Sequence, residues 1–200
     1  MAELFANNTI SSSYKGALLE KHAKDERWGG SAKYASSNNI LIDVLRRPYV
    51  QTLLDFGAGK QGFKKMLKKH CPHVEYFAYD PGIPEISELP DRQFDMVVSN
   101  DVMEHIEPDK VEAVIKAMWE RTKYALINNI ACSLAGSEFE GGAYDGQNLH
   151  LIVEDTDWWV ALHEKAIKDP KMSIMSITKH FRRNSTGFKE RCSLIIERGG

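Results

Sequence analysis

Cysteine is scarce in this chain, with three in 200 residues. Cys71, Cys132 and Cys192 are isolated, odd in number and without C-x-x-C spacing. That excludes a disulfide framework and a cysteine-clustered zinc site, and it fits a reducing compartment, the cytoplasm. Long hydrophobic runs are missing too. No stretch approaches the ~18 apolar residues of a spanning helix, so no membrane partner is expected. No basic-then-apolar start marks a signal peptide. An excess of one charge is also lacking: 26 Lys and Arg stand against 28 Asp and Glu, a net charge of −2. Global attraction to nucleic acid or anionic lipid is therefore not expected, although a local basic patch stays open. Repeats and low-complexity tracts are absent. The remainder is ordinary for a globular protein, at 42% hydrophobic and 27% charged, and the length suits one domain with enough core to fold alone.

The most informative stretch is Leu53-Leu54-Asp55-Phe56-Gly57-Ala58-Gly59-Lys60-Gln61-Gly62. An apolar run ends in a carboxylate, and Gly57, Gly59 and Gly62 make a G-x-G-x-x-G spacing between an expected strand and an expected helix. Glycines there allow a tight turn and a close approach of ligand to backbone. The helix start is expected to present free N–H groups to a polar or anionic ligand. Val74-Glu75-Tyr76-Phe77-Ala78-Tyr79 reads as a second strand, and Asp80 closes it 18 residues after Gly62, near the spacing of a ribose-binding acid. Asp55 separates two cofactor classes. Nicotinamide-binding strands usually keep an apolar residue at that point, whereas a carboxylate suits a ligand carrying an ammonium group.

The flanking elements follow from periodicity. Residues 1–13 read as a loose tail or cap, and residues 14–27 as a helix broken by Trp28-Gly29-Gly30. Ser31 is a candidate N-cap for a second helix, whose apolar stripe is Ile40, Leu41, Val44 and Leu45. Phe63, Met66 and Leu67 face inward on the helix after the glycines, and its lysines face solvent. Pro108 is expected to open a helix with Val111, Val114, Ile115, Met118 and Trp119 on one face. A glycine-bearing loop over 131–148 reads as a substrate lid. A helix follows over residues 155–167, capped by Asp155 or Thr156. Residues 171–177 and 191–197 alternate well enough to pair as an antiparallel hairpin.

Phe94-Asp95-Met96-Val97-Val98-Ser99-Asn100-Asp101-Val102-Met103-Glu104-His105-Ile106 completes the pattern. With these three segments in order, the chain resembles the class I S-adenosylmethionine-dependent methyltransferases over roughly residues 14–198, particularly small ones with a D-V-x-E-H-I stretch. The resemblance implies an α/β fold: a Rossmann-like doubly wound sheet, mostly parallel, with an antiparallel C-terminal hairpin strand. It implies one domain over 1–200, with a helical cap over 1–50 and a Rossmann-like core over 51–200. Tyr14, His22 and Trp28 become lid candidates. The cofactor implied is S-adenosyl-L-methionine, held by Asp55, Gly57, Ala58, Gly59, Gly62, Asp80, Pro81, Asn100 and Asp101. The chain departs from the family between 81 and 93. Thirteen residues with prolines at 81, 84 and 90 are too short and broken for a helix and a third strand. That strand is expected to be truncated or missing, and adenine would be held near 83–89 or by Asp91.

Methyl transfer is an in-line displacement, so the protein's task is mainly alignment. An acceptor oxygen or nitrogen can still need a base. His105, His150 and Asp101 are the catalytic candidates. Glu104-His105 looks like half a metal motif, but no second spaced ligand follows on that segment, so no metal is expected. The acceptor class is a small molecule, a nucleotide or a sugar. Nucleic acid is disfavoured, since Ser99-Asn100-Asp101-Val102 lacks the Pro-Pro-aromatic of amino-methylating DNA enzymes and Cys71-Pro72 reverses the Pro-Cys of cytosine C5 enzymes. The mixture of cations and aromatics over 179–191 (Lys179, His180, Phe181, Arg182, Arg183, Phe188, Lys189, Arg191) keeps a nucleotide open. Two rivals remain: a nicotinamide-dependent oxidoreductase, and a non-catalytic binding module on the same fold. Oligomeric state is open.

Overall fold

The structure is a computed structural model, and it describes residues 9–25, 28–30, 39–184 and 187–199. The candidate cap Ser31 and the side chains of Arg182, Arg183 and Phe188 lie outside the described residues. The chain runs α1 (Ser12–Lys24), α2 (Asn39–Leu45), β1 (Thr52–Phe56), α3 (Gly62–His70), β2 (Glu75–Tyr79), β3 (Phe94–Asn100), α4 (Val111–Glu120), β4 (Thr122–Ala131), α5 (Thr156–Ala166), β5 (Met172–Asn184) and β6 (Gly187–Arg198). The strands form one sheet in the order β2-β1-β3-β4-β6-β5. β1 to β4 are parallel, β6 runs antiparallel to β4, and β5 antiparallel to β6. This is the expected doubly wound sheet with its C-terminal hairpin.

Burial on both faces explains the apolar runs. Leu54, Val97 and Leu126 point to the face covered by α4 and α5, where Ile115, Met118 and Trp159 meet them. Leu53, Met96, Val98 and Ile127 point to the other face, under α2 and α3, with Leu41, Leu45, Phe63 and Leu67. The strand period of 2 sorts neighbours to opposite layers. α2 differs from its expected stripe: Ile42 is buried and Ile40 is exposed. The seven-residue helix turns the 41-42-44-45 side to α3 and the sheet. α4 begins at Val111, not at Pro108, which sits in the preceding turn. Asp155 is the cap of α5, its Oδ1 accepting the Trp158 amide at 2.9 Å.

No strand lies between β2 and β3. Residues 81–93 carry only a 3₁₀ turn, Pro84–Ile86, and the sheet ends at β2. Asp91 points away from the sheet's ligand-binding edge, 3.8 Å from Arg121 Nη2.

At the amino edge of the sheet, buried Asp95 ties three strands. Its Oδ2 accepts the amides of Gln51 and Thr52 at 2.9 and 2.8 Å and the Thr52 hydroxyl at 3.0 Å. Its Oδ1 lies 3.3 Å from Lys123 Nζ. Burial alone would raise its pKa, but these donors outweigh burial and hold the carboxyl below the usual range. Asp95→Ala should cost about 2–3 kcal/mol, read by urea denaturation at neutral pH. Because the folded pKa is depressed, this contribution is present above the ordinary carboxylate pKa and is lost as pH falls through the folded value. The gap between wild type and variant should therefore narrow below about pH 4.

Candidate functional site

The carboxyl ends of β1, β2 and β3 open on a cavity of about 320 Å³, the edge where open α/β sheets bind ligands. Asp55, Gly57, Ala58, Gly59, Gly62, Asp80, Pro81, Asn100 and Asp101 all line it, as does His105. Tyr14, His22 and Trp28 close it from the cap side. No lining residue among those described comes from 82–93, so the expected adenine contacts near 83–89 and at Asp91 are not at this cavity. The reason is local: Leu89 turns into the core behind β3, and Asp91 is drawn to Arg121.

β1 carries Asp55 into the cavity floor, where it is buried. The Tyr76 hydroxyl donates to its Oδ2 at 2.7 Å. Burial, only partly offset by that hydrogen bond, pushes the Asp55 pKa up to about 7. A carboxyl in that range titrates near neutral pH. Asp80, one strand over, holds the turn together. Its Oδ2 accepts the Gly59 amide at 2.8 Å, its Oδ1 accepts the Gly82 amide at 2.9 Å, and His22 Nε2 lies 3.6 Å from Oδ1.

The amides of the glycine turn itself, ahead of the helix start, are spent inside the protein. Gly57 and Ala58 donate to Tyr79 O at 2.8 and 2.9 Å, Gly59 to Asp80, Lys60 to Gly29 O at 2.8 Å, and Gln61 to Ala58 O at 2.8 Å. Each donor in this run is satisfied inside the protein, as buried backbone requires. The turn therefore offers bare Cα surface rather than an amide nest. Gly29 is the contact that sequence reasoning missed, because nothing local links residue 29 to residue 60. The approach is so close that a Cβ on Gly59, whose φ is +49°, would stand 2.2 Å from Gly29 O.

The other end of the cavity is built by the segment after β3. Asn129 Nδ2 donates to Asn100 Oδ1 at 2.6 Å. Asp101 adopts a left-handed φ of +55°, which Asp tolerates, and pairs with Arg191 on β6. Two further cations of the proposed basic patch are also engaged: Lys179 Nζ donates to Asp157 Oδ1 at 2.8 Å and Lys189 Nζ to Leu134 O at 2.9 Å. His105 packs edge-on against Trp28 at 6.1 Å and against His150 at 4.8 Å between ring centroids. Burial, with the His150 charge behind it, lowers the His105 pKa to about 4, so the ring is neutral at pH 7. His150 does not line the cavity; it stands behind His105. Glu107 clasps the cap to the lid, its Oε2 accepting the Ser11 amide and its Oε1 the Tyr144 hydroxyl, both at 2.8 Å. Tyr14 donates its hydroxyl to the His105 carbonyl.

No protein-family model and no curated protein matches the chain. Solved structures do. The *Burkholderia thailandensis* 1,6-didemethyltoxoflavin-N1-methyltransferase, with bound 1,6-didemethyltoxoflavin and S-adenosylhomocysteine, superposes with a TM-score of 0.63 at 17% identity, covering 96% of this chain and 92% of that one. An S-adenosylmethionine-dependent methyltransferase from *Clostridium acetobutylicum* gives 0.57 at 15% identity, over 90% and 98%. Magnesium protoporphyrin IX methyltransferase from *Synechocystis*, with bound S-adenosylmethionine, gives 0.57 at 12%, over 95% and 99%. The fold is that of the class I S-adenosylmethionine-dependent methyltransferases.

Gly59→Ala tests the cap contact. The left-handed φ and the clash with Gly29 O should together cost about 2 kcal/mol. The melting temperature should drop by roughly 4–8 °C, and limited proteolysis should cut sooner near residues 28–30.

Proposed function

We propose that this chain is an S-adenosylmethionine-dependent methyltransferase acting on an oxygen or nitrogen of a small molecule, nucleotide or sugar. The observation that carries the reading is the pair of buried carboxylates, Asp55 and Asp80, on neighbouring parallel strands facing one cavity across a glycine turn. Two acids on one cavity suit a ligand with an ammonium at one end and a diol at the other. Asp55 would take the ammonium. Asp80 would take the ribose hydroxyls, since each of its oxygens accepts one backbone hydrogen bond and a carboxylate offers about four acceptor sites. Ala58, Gly57, Gly59, Gly62 and Pro81 shape the wall between them, and Asn100 and Asp101 border the reacting end. When bound, the cofactor supplies a methyl group on a positively charged sulfur. Solved proteins of the same fold hold S-adenosylhomocysteine or S-adenosylmethionine, which supports the assignment.

The protein's own work is alignment and exclusion of water. Tyr14, His22 and Trp28 cover the cavity. His105 is the neutral imidazole at its acceptor end and His150 supports it, so these two are the acceptor-side groups, with Asp101 at the rim. We read residues 1–50 as the cap and 51–200 as the core of one domain. No helix among the described residues is long and apolar enough to cross a membrane, and the scarcity of cysteine supports a cytoplasmic place.

Calorimetric titration with S-adenosylmethionine, S-adenosylhomocysteine and NAD tests the reading. The first two should bind in the micromolar range and NAD should not. Asp80→Ala should weaken binding about tenfold or more, a loss of about 1.4 kcal/mol. A profile with NAD alone bound, or with none of the three bound, overturns the proposal. A separate expectation concerns pH. The cation favours ionised Asp55, so affinity should rise from pH 6 to pH 7.5, below the loss of the ligand's own amino proton near about 7.7. Asp55→Asn should flatten that rise.

A further inference from the structure

Glu104 is fully buried on the 3₁₀ turn Met103–His105. One of its oxygens, Oε1, accepts the Ala131 amide at 3.0 Å. The other, Oε2, is buried with no hydrogen-bond partner. Such an oxygen costs about 1–3 kcal/mol or more when left alone. Beside it are His105 and His150, and one ligand atom from each of the three residues falls within 4.8 Å of the others.

The two imidazoles are oriented alike. His105 Nδ1 meets Leu149 O at 2.7 Å, and His150 Nδ1 meets Ser133 O at 2.5 Å. A carbonyl can only accept, so each Nδ1 carries the proton and each Nε2 keeps a lone pair. Backbone carbonyls that fix the tautomer in this way are the usual outer support of metal-bound histidines. Both rings are thus neutral, and a carboxylate oxygen of Glu104 stands with their ring nitrogens. The second ligand absent from the local sequence comes from the far side of the lid loop, 45 residues after His105.

We propose that Glu104, His105 and His150 bind a divalent first-row transition ion at the acceptor end of the cavity. Two imidazoles and one carboxylate suit Zn²⁺, Co²⁺ or Fe²⁺ rather than Ca²⁺ or Mg²⁺. Zinc bonds of about 2.0–2.2 Å require the three ligand atoms to draw slightly closer than they stand. Three protein ligands leave coordination positions open, as in catalytic rather than structural sites. Of the three ligands His105 lines the cavity, which sets the ion beside the place of the acceptor. The methyl acceptor that such an ion would hold is a hydroxyl oxygen. This choice of acceptor rests on the methyltransferase reading, whereas the ion site does not. With the ion bound, the two histidines act through it and not as free bases.

The test uses the full chain, stripped with a chelator and titrated with Co²⁺ and then Zn²⁺. One equivalent of Co²⁺ should bind, with visible d–d absorption of a site with nitrogen ligands, and Zn²⁺ should displace it. His150→Ala and Glu104→Gln should each weaken binding by roughly a hundredfold or more, since loss of even an outer partner costs 10–100-fold. His73→Ala, at an exposed histidine remote in sequence, should leave it unchanged. Far-UV circular dichroism and the melting temperature report whether each variant is folded, and S-adenosylmethionine binding is measured in parallel. If a variant fails to fold, the cobalt spectrum of the wild type decides alone. No stoichiometric binding, or binding unmoved by both substitutions, overturns the site and makes Glu104 a neutral buried acid. Retained metal binding with no S-adenosylmethionine binding overturns the methyltransferase reading instead. Metal and cofactor both bound, with methyl transfer confined to nitrogen acceptors, overturns the choice of a hydroxyl.

Discussion

The hydrogen bonds between the end of β2 and the glycine turn after β1 are the constraint on which the site depends. Tyr79 O takes two amides of the turn, and the Asp80 carboxylate takes a third while also gripping Gly82. Parallel pairing of Phe56 with Tyr79 brings these groups to the same level of the sheet. The fourth amide is taken by the cap, through Gly29 O. Cavity wall, cap and second strand are thus one hydrogen-bonded unit. A carboxylate in this position has two uses, since the same side chain shapes the turn and faces the cavity.

The short connection after Asp80 makes that unit more dependent on the cap. With no strand beyond β2, the sheet ends where the ligand's far end would lie. α1 takes the vacant side. A Cβ on Gly82 would meet His22 Cδ2 at 2.8 Å and Leu18 Cβ at 2.9 Å, so the helix rests directly on the backbone there. A small cluster of Tyr14, Leu18, Phe139 and Leu149 joins this helix to the lid loop. Glu107 binds both by hydrogen bonds. Cap and lid are therefore coupled through the segment that also carries Glu104 and His105. The two ends of the cavity should therefore move together in a chain built this way.

The electrostatics divide along the cavity. Asp55 is raised by burial at one end, and His105 is lowered by burial at the other. Both shifts favour the neutral form, as burial away from water dictates. Asp101 pairs with Arg191 near the rim, where solvent screens the pair.

Much of this was legible in the residues themselves. Apolar runs marked β1, β2 and β3 because strands buried on both faces must be apolar throughout. The 111-114-115-118-119 spacing marked α4, and the glycines with Asp55 and Asp80 marked the residues that gather round the cavity. These are local signals, set by period and by turn chemistry. The exact start of α4 and the buried side of α2 were not legible, because short elements have too few residues for periodicity to choose between neighbouring faces. Only the tertiary structure decided that the turn's amides are spent inside the protein, that Gly29 seats on Gly59, that Asp91 turns to Arg121, and that His150 returns to stand beside Glu104 and His105. Each of these is a contact between segments distant in sequence. Its geometry comes from strand register and helix packing, which no local spacing encodes.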